Sequence, residues 1–215
     1  DICIILVHGF ISSKNSSSIV ELEKRFNAQG IATFRFDIFG HGDSEGDFAE
    51  ITLSEAKDDI LQAIKYVKSK GFTRIGLVGS SFGGNASILA AGDSEDLFVL
   101  CLKCPVSDYL GKLVSQSEKF PIEEWKENGF LMYKGLKKLN YSFYEDAEKT
   151  DSYEYARRIK VPTLIVHGDA DVTVPVEQSK KLAIEIPGAT LEVISGAGHR
   201  FEGEDFDKMI ELIEE

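Results

Sequence analysis

Short apolar runs rich in β-branched residues recur along this chain, each bounded by turn residues. They predict strands at Ile2–Val7, Ile31–Phe36, Arg74–Val78, Leu97–Leu102, Val161–Val166 and Thr190–Ile194. The segments between them carry apolar residues at helical spacing, predicting helices at Ser17–Gln29, Ser54–Ser69, Phe82–Ala91, Val176–Glu185 and Glu204–Ile213. Continuous rather than alternating apolar strands, separated by helices, imply a parallel sheet covered on both faces. The expected class is therefore α/β, a doubly wound and mostly parallel sheet. Ligands in such sheets bind beyond the carboxyl ends of the strands.

Residues 106–158 break the alternation. This stretch between the fourth and fifth strands holds ten of the 22 aromatic residues, including Trp125 and six of the seven tyrosines. Its charges nearly cancel, with nine Lys/Arg against ten Asp/Glu. Short helices are expected around Ile122–Asn128 and Leu131–Leu139. A long insertion inside a compact domain is usually a lid or an added subdomain, so the chain reads as one domain over 1–215 with a lid insertion at 106–158. Tyrosine and tryptophan offer apolar walls with polar tips. Tyr109, Trp125 and Tyr133 are the candidate pocket residues, weighed against a role in gluing the insertion to the sheet.

Composition narrows the classes. With 215 residues, 43% hydrophobic and 28% charged, the chain can bury a large core. A net charge of −12 without a basic stripe disfavours nucleic acid and anionic membranes. No run approaches a membrane span. Ahead of the first strand there is neither an initiating Met nor a basic leader region. Three cysteines suit a reducing, cytoplasmic setting. Cys101 and Cys104 form a C-x-x-C, but it ends an apolar strand and is followed by Pro105 rather than a helix start, so core packing is expected.

The candidate chemistry begins at Gly79-Ser80-Ser81-Phe82-Gly83, between an apolar strand and a helix start. A serine at that corner takes a strained backbone conformation that lifts its hydroxyl clear of the sheet. Ser81 is thus the candidate nucleophile. It needs a general base, and the base needs an orienting acid. Of four histidines, His199 lies in the glycine-rich loop after the last strand and is the candidate base. His8, His41 and His167 each precede a glycine near a strand end and are expected to brace loops. The acid is Asp171 ahead of Asp169, with Asp108 third. Backbone amides of Phe82 and of Phe10, in the loop after the first strand, are the candidate oxyanion donors.

Together Ile4-Ile-Leu-Val-His-Gly-Phe10, Arg35-Phe-Asp-Ile-Phe-Gly-His-Gly-Asp-Ser44 and Gly196-Ala-Gly-His199 resemble the cinnamoyl/feruloyl esterase branch of bacterial carboxylesterases, within the α/β-hydrolases. The resemblance spans nearly the whole chain. It implies ester hydrolysis through an acyl-enzyme, no cofactor, no metal, and a sheet lacking that family's first two strands. By the same resemblance Ser81, Asp171 and His199 match the triad, and Phe10 and Phe82 the oxyanion donors. Aromatic acyl esters are the expected refinement. The alternatives are a thioesterase or small serine peptidase, and a non-catalytic ligand receptor. The expected partner is a small-molecule ester, with self-association into a homodimer left open.

Overall fold

The computed structural model describes residues 1–215. Six strands form one parallel sheet: β1 (Ile2–Val7), β2 (Ala32–Phe36), β3 (Arg74–Ser80), β4 (Leu97–Lys103), β7 (Thr163–Gly168) and β8 (Thr190–Ile194). Their order is β2-β1-β3-β4-β7-β8, with every neighbouring pair parallel. All six expected strands form, with ends shifted by a residue or two.

Strand β1 shows why the sheet needs cover on both sides. Cys3, Ile5 and Val7 join one apolar cluster, while Ile4 and Leu6 join another. This alternation is the strand's two-residue period read against two buried faces. Helices α1 (Ser17–Ala28) and α9 (Glu204–Glu214) contribute to the smaller cluster. The larger cluster takes in α2 (Leu53–Ser69), α3 (Phe82–Asp93) and α8 (Val176–Glu185). Helix α3 is buried from Phe82 through Ala91, and its Gly and Ala residues let it lie close against the sheet. No helix is long and apolar enough to cross a membrane.

Between β4 and β7 the chain forms α4 (Tyr109–Ser115), α5 (Ile122–Asn128), a hairpin of β5 (Phe130–Tyr133) and β6 (Lys137–Asn140), α6 (Ser142–Lys149) and α7 (Ser152–Ala156). Helix α5 matches its expected span. The helix expected over Leu131–Leu139 is instead the β5–β6 hairpin. Apolar residues at 131, 132, 136 and 139 imitate helical spacing, but the backbone settles the matter. Gly129 ends α5 at φ 73°, and Lys134 and Gly135 take φ of 52° and 67°. Consecutive positive φ values give the twist a tight hairpin requires.

Trp125 also departs from expectation. It is fully buried, and its indole N–H donates to the Leu139 carbonyl at 3.0 Å. The ring ties α5 to the hairpin and has no face on the cavity described below. Trp125→Ala should therefore lower the unfolding free energy by about 3–5 kcal/mol, read as a fall in the urea midpoint. A pocket-wall residue would instead change substrate affinity and leave that midpoint in place.

Candidate active site

Strand β3 runs directly into α3, and Ser81 is the residue at the corner. Its φ of 55° and ψ of −111° lie in a region that L-residues rarely occupy. Neighbouring backbone holds it there: the Ser81 N–H donates to Lys103 O at 2.9 Å, and its carbonyl accepts from Asn85 and Val106. The flanking glycines are required by close approach. A Cβ on Gly79 would overlap the Ser87 hydroxyl and the Gly83 carbonyl, and one on Gly83 would overlap the His8 carbonyl.

The structure brings Ser81, His199 and Asp171 together. His199 Nε2 lies 3.0 Å from Ser81 Oγ, and His199 Nδ1 lies 2.6 Å from Asp171 Oδ2. Asp171 is itself well anchored. Its Oδ1 accepts from the Thr173 and Val174 amides at 2.7 and 2.9 Å, and His167 Nε2 lies 3.2 Å from Oδ2. Burial favours the neutral acid, yet hydrogen bonds from His167, His199 and Val174 hold this carboxyl far below the usual carboxylate range. Burial pushes the His199 imidazole below its ordinary value of 6.5, with Asp171 opposing and Lys103 and Lys112 assisting. The result at neutral pH is an ionised carboxylate, a neutral imidazole and a hydroxyl in one line.

The other acids are occupied elsewhere. Asp169 accepts from the Gly196 amide at 2.6 Å, pinning the loop that carries His199. Asp108 caps α4 through Gly111 at 2.7 Å. The other histidines brace loops as their positions suggested. His8 Nε2 accepts from the Ile38 amide at 3.0 Å, so Nδ1 carries the proton and donates to Gly9 O at 2.8 Å. Burial lowers its pKa to about 4, keeping it neutral. His167 lies 2.6 Å from Ser179 Oγ and 3.0 Å from Val174 O. His41 meets Phe39 O at 3.0 Å.

The loop after β2 supports His8 from behind. Asp37 accepts from the Lys14 ammonium and amide, both at 2.6 Å, and from the Asp43 amide at 3.0 Å. Through Ile38 that network fixes His8, and through Gly9 it fixes Phe10. The Phe10 and Phe82 amides donate to no other group. Phe82 N–H opens α3, where the helix leaves donors free and the potential is positive. Both amides flank Ser81, as a pair of oxyanion donors would.

Two spaces meet at Ser81. One, about 390 Å³, is lined by Phe10, Tyr109, Leu113, Phe120, Tyr133 and Phe143, with Lys112, Lys134 and Arg200 at its edge. Tyr109 and Tyr133 thus stand where expected, and Trp125 does not. Phe120 and Phe143 went unremarked in the sequence, as did Lys103. The last offered a signal: it is the single charge in Leu97-Phe-Val-Leu-Cys-Leu-Lys103. Cys104 Sγ, an Asp171 oxygen and a His199 nitrogen lie within 4.8 Å of one another. Burial pushes the Cys104 thiol up to about 12, however, so it stays protonated and a poor metal ligand.

A parallel sheet that turns into a helix through a strained, buried serine is the architecture of an α/β-hydrolase. Solved structures share it. The ferulic acid complex of Est1E from Butyrivibrio proteoclasticus superposes with a TM-score of 0.80 at 28% identity, covering 99% of this chain and 86% of that one. Mouse alpha/beta hydrolase domain-containing protein 10 gives 0.83 at 28% identity, covering 98% and 87%. Among curated proteins, the mouse mitochondrial palmitoyl-protein thioesterase ABHD10 is 29% identical over 201 residues, 89% of this chain and 66% of its own length. The chain spans about two thirds of the length of the curated relatives it matches. The family model for the prolyl oligopeptidase family matches residues 20–211, and the chain belongs to that family. Its fold and its Ser81–His199–Asp171 geometry are those of a serine hydrolase.

The histidine ring gives a direct check. Followed by NMR, His199 should titrate with a midpoint below 6.5. Asp171→Asn removes the neighbouring negative charge and should move that midpoint lower still. A midpoint that rose in the variant would contradict the arrangement.

Proposed function

We propose that this protein hydrolyses carboxylic esters through an acyl-enzyme on Ser81, with a preference for aromatic acyl groups. The Ser81–His199–Asp171 line, at 3.0 and 2.6 Å beside two uncommitted amides, is the observation that carries the reading. His199 takes the Ser81 proton as Oγ attacks the ester carbonyl, and Asp171 steadies the imidazolium. The Phe10 and Phe82 amides hold the oxyanion, each contributing about 3 kcal/mol to the barrier reduction. The tetrahedral centre then expels the alcohol, which receives the proton from His199. A water molecule, deprotonated by the same imidazole, attacks the acyl-enzyme, and Ser81 leaves with the proton returned.

The aromatic preference rests on the cavity walls. Phe10, Tyr109, Tyr133 and Phe143 form edge-to-face pairs around the space, an arrangement that suits a flat ring. The insertion supplies most of that wall and acts as a lid over a bound small molecule. Est1E, whose structure has ferulic acid bound, favours the same reading. A thioesterase is the second reading, favoured by the name of the ABHD10 relatives, since the same machinery cleaves an activated thioester. Cys3, Cys101 and Cys104 are buried and unpaired, which suits a reducing compartment such as the cytoplasm.

Ser81→Ala should cut turnover of feruloyl and short p-nitrophenyl esters by roughly 10⁴-fold or more, and Asp171→Asn by a comparable factor. Full activity in Ser81→Ala would end the mechanism. In an ester panel, cinnamoyl-type methyl esters should exceed long aliphatic esters in kcat/KM. The reverse order would overturn the aromatic preference alone.

A further inference from the structure

The second space at Ser81, about 420 Å³, differs in character from the aromatic one. It lies against the start of α1, and its wall includes Ser16, Ser17, Ser18, Lys103, Arg200 and Glu202. Lys103 comes from the end of β4 and is only 6% exposed. Its ammonium donates to the His199 carbonyl at 3.0 Å and meets no carboxylate within ion-pair distance. Burying an ammonium without an anionic partner is costly. Burial does lower its pKa, with nearby Cys104 and Asp171 opposing.

Two further features favour negative charge at the same place. Helix α1 spans 12 residues, has no acidic residue in its first turn, and its Ser16 cap makes no side-chain hydrogen bond. The Ser17 and Ser18 amides donate to no backbone acceptor. Arg200, which borders both spaces, is exposed and forms no ion pair. Lys112 and Lys134, on the aromatic side, are likewise without a carboxylate partner. In a chain of net charge −12, unpaired cations have gathered around one serine. Glu202 is the single carboxylate on the polar wall.

The geometry points to a binding site for an anionic leaving group, a carboxylate- or phosphate-bearing alcohol or thiol, in the space between α1 and the His199 loop. The assignment rests on the acyl-enzyme reading above. With the oxyanion directed at Phe10 and Phe82, the two remaining substituents of a tetrahedral centre must enter the two spaces. The acyl group takes the apolar one. The leaving group takes the remaining, polar one, where His199, which borders both spaces, can give it a proton. There Lys103, Arg200 and the first-turn amides of α1 can each bond its anion.

The test compares phenylpropanoyl esters of hydroxyacetate, hydroxyacetamide and hydroxyethyl phosphate. For the wild-type protein at low salt, the anionic esters should exceed the neutral amide ester in kcat/KM by about tenfold or more, the worth of one charge-assisted hydrogen bond. The difference should shrink as ionic strength rises. The ratio, rather than the absolute rate, should fall in both Lys103→Met and Arg200→Gln, and rise in Glu202→Gln. Arg200→Gln changes an exposed residue, so it carries the test if Lys103→Met fails to fold. The carboxylate and phosphate arms distinguish which anion the site prefers. Equal rates for charged and neutral esters, or a ratio that neither cation variant alters, would overturn this site and leave the hydrolase reading intact. Turnover of none of the three would end the aromatic-ester reading, and this assignment with it.

Discussion

The whole site depends on one strained residue. Ser81 sits at φ 55° and ψ −111°, a conformation costing on the order of 1–3 kcal/mol for a non-glycine residue. Strain of that size survives only where the surroundings allow nothing else. Here the surroundings are the sheet and helix themselves: Ser81 bonds Lys103 of β4 on one side and Asn85 of α3 on the other. Gly79 and Gly83 are glycines because β3, α3 and the His8 loop converge too closely for side chains. The corner therefore cannot relax without moving the central strand. That coupling turns a fold into a site, because the hydroxyl is aimed before any ligand arrives.

Much of this was legible in the chain. All six sheet strands and the helices that cover them follow from hydrophobic period, and the G-x-S-x-G corner follows from its glycines. Asp171 could be separated from Asp169 only by position in the turn. The structure supplies the reason: Asp169 is committed to Gly196, while Asp171 is anchored by Thr173, Val174 and His167. The insertion was less legible. Its hairpin is decided by positive φ at Lys134 and Gly135, a backbone property that side-chain spacing does not display. Trp125 looked like a pocket ring because aromatic residues there are many. Which of them face the cavity depends on packing between α5 and the hairpin, and that arises only in three dimensions.

The support around His199 is built in layers. The Asp37 network fixes the loop after β2, which fixes His8, which orients the Gly9–Phe10 turn. On the opposite side His167 and Ser179 hold the turn bearing Asp171, and Asp169 holds the loop bearing His199. Each of these contacts spends a polar group on position rather than chemistry. Electrostatic stabilisation of a transition state works only when its donors need not reorganise. The buried side chains of His8, Asp37, His167 and Ser179 serve that end.

Lys103 stands apart from that pattern. A methionine of similar length would fill its place without the desolvation cost, since replacing buried charge by apolar groups is often neutral or stabilising. Its bond to the His199 carbonyl is a neutral-acceptor contact available to many donors. Lys103 also lowers the His199 pKa, which helps keep the base uncharged but draws it away from proton acceptance. A group that costs stability and weakens the base must act on something else. An anion beside it would satisfy the ammonium and restore the imidazole's basicity together, so that ligand binding and base strength would rise in step.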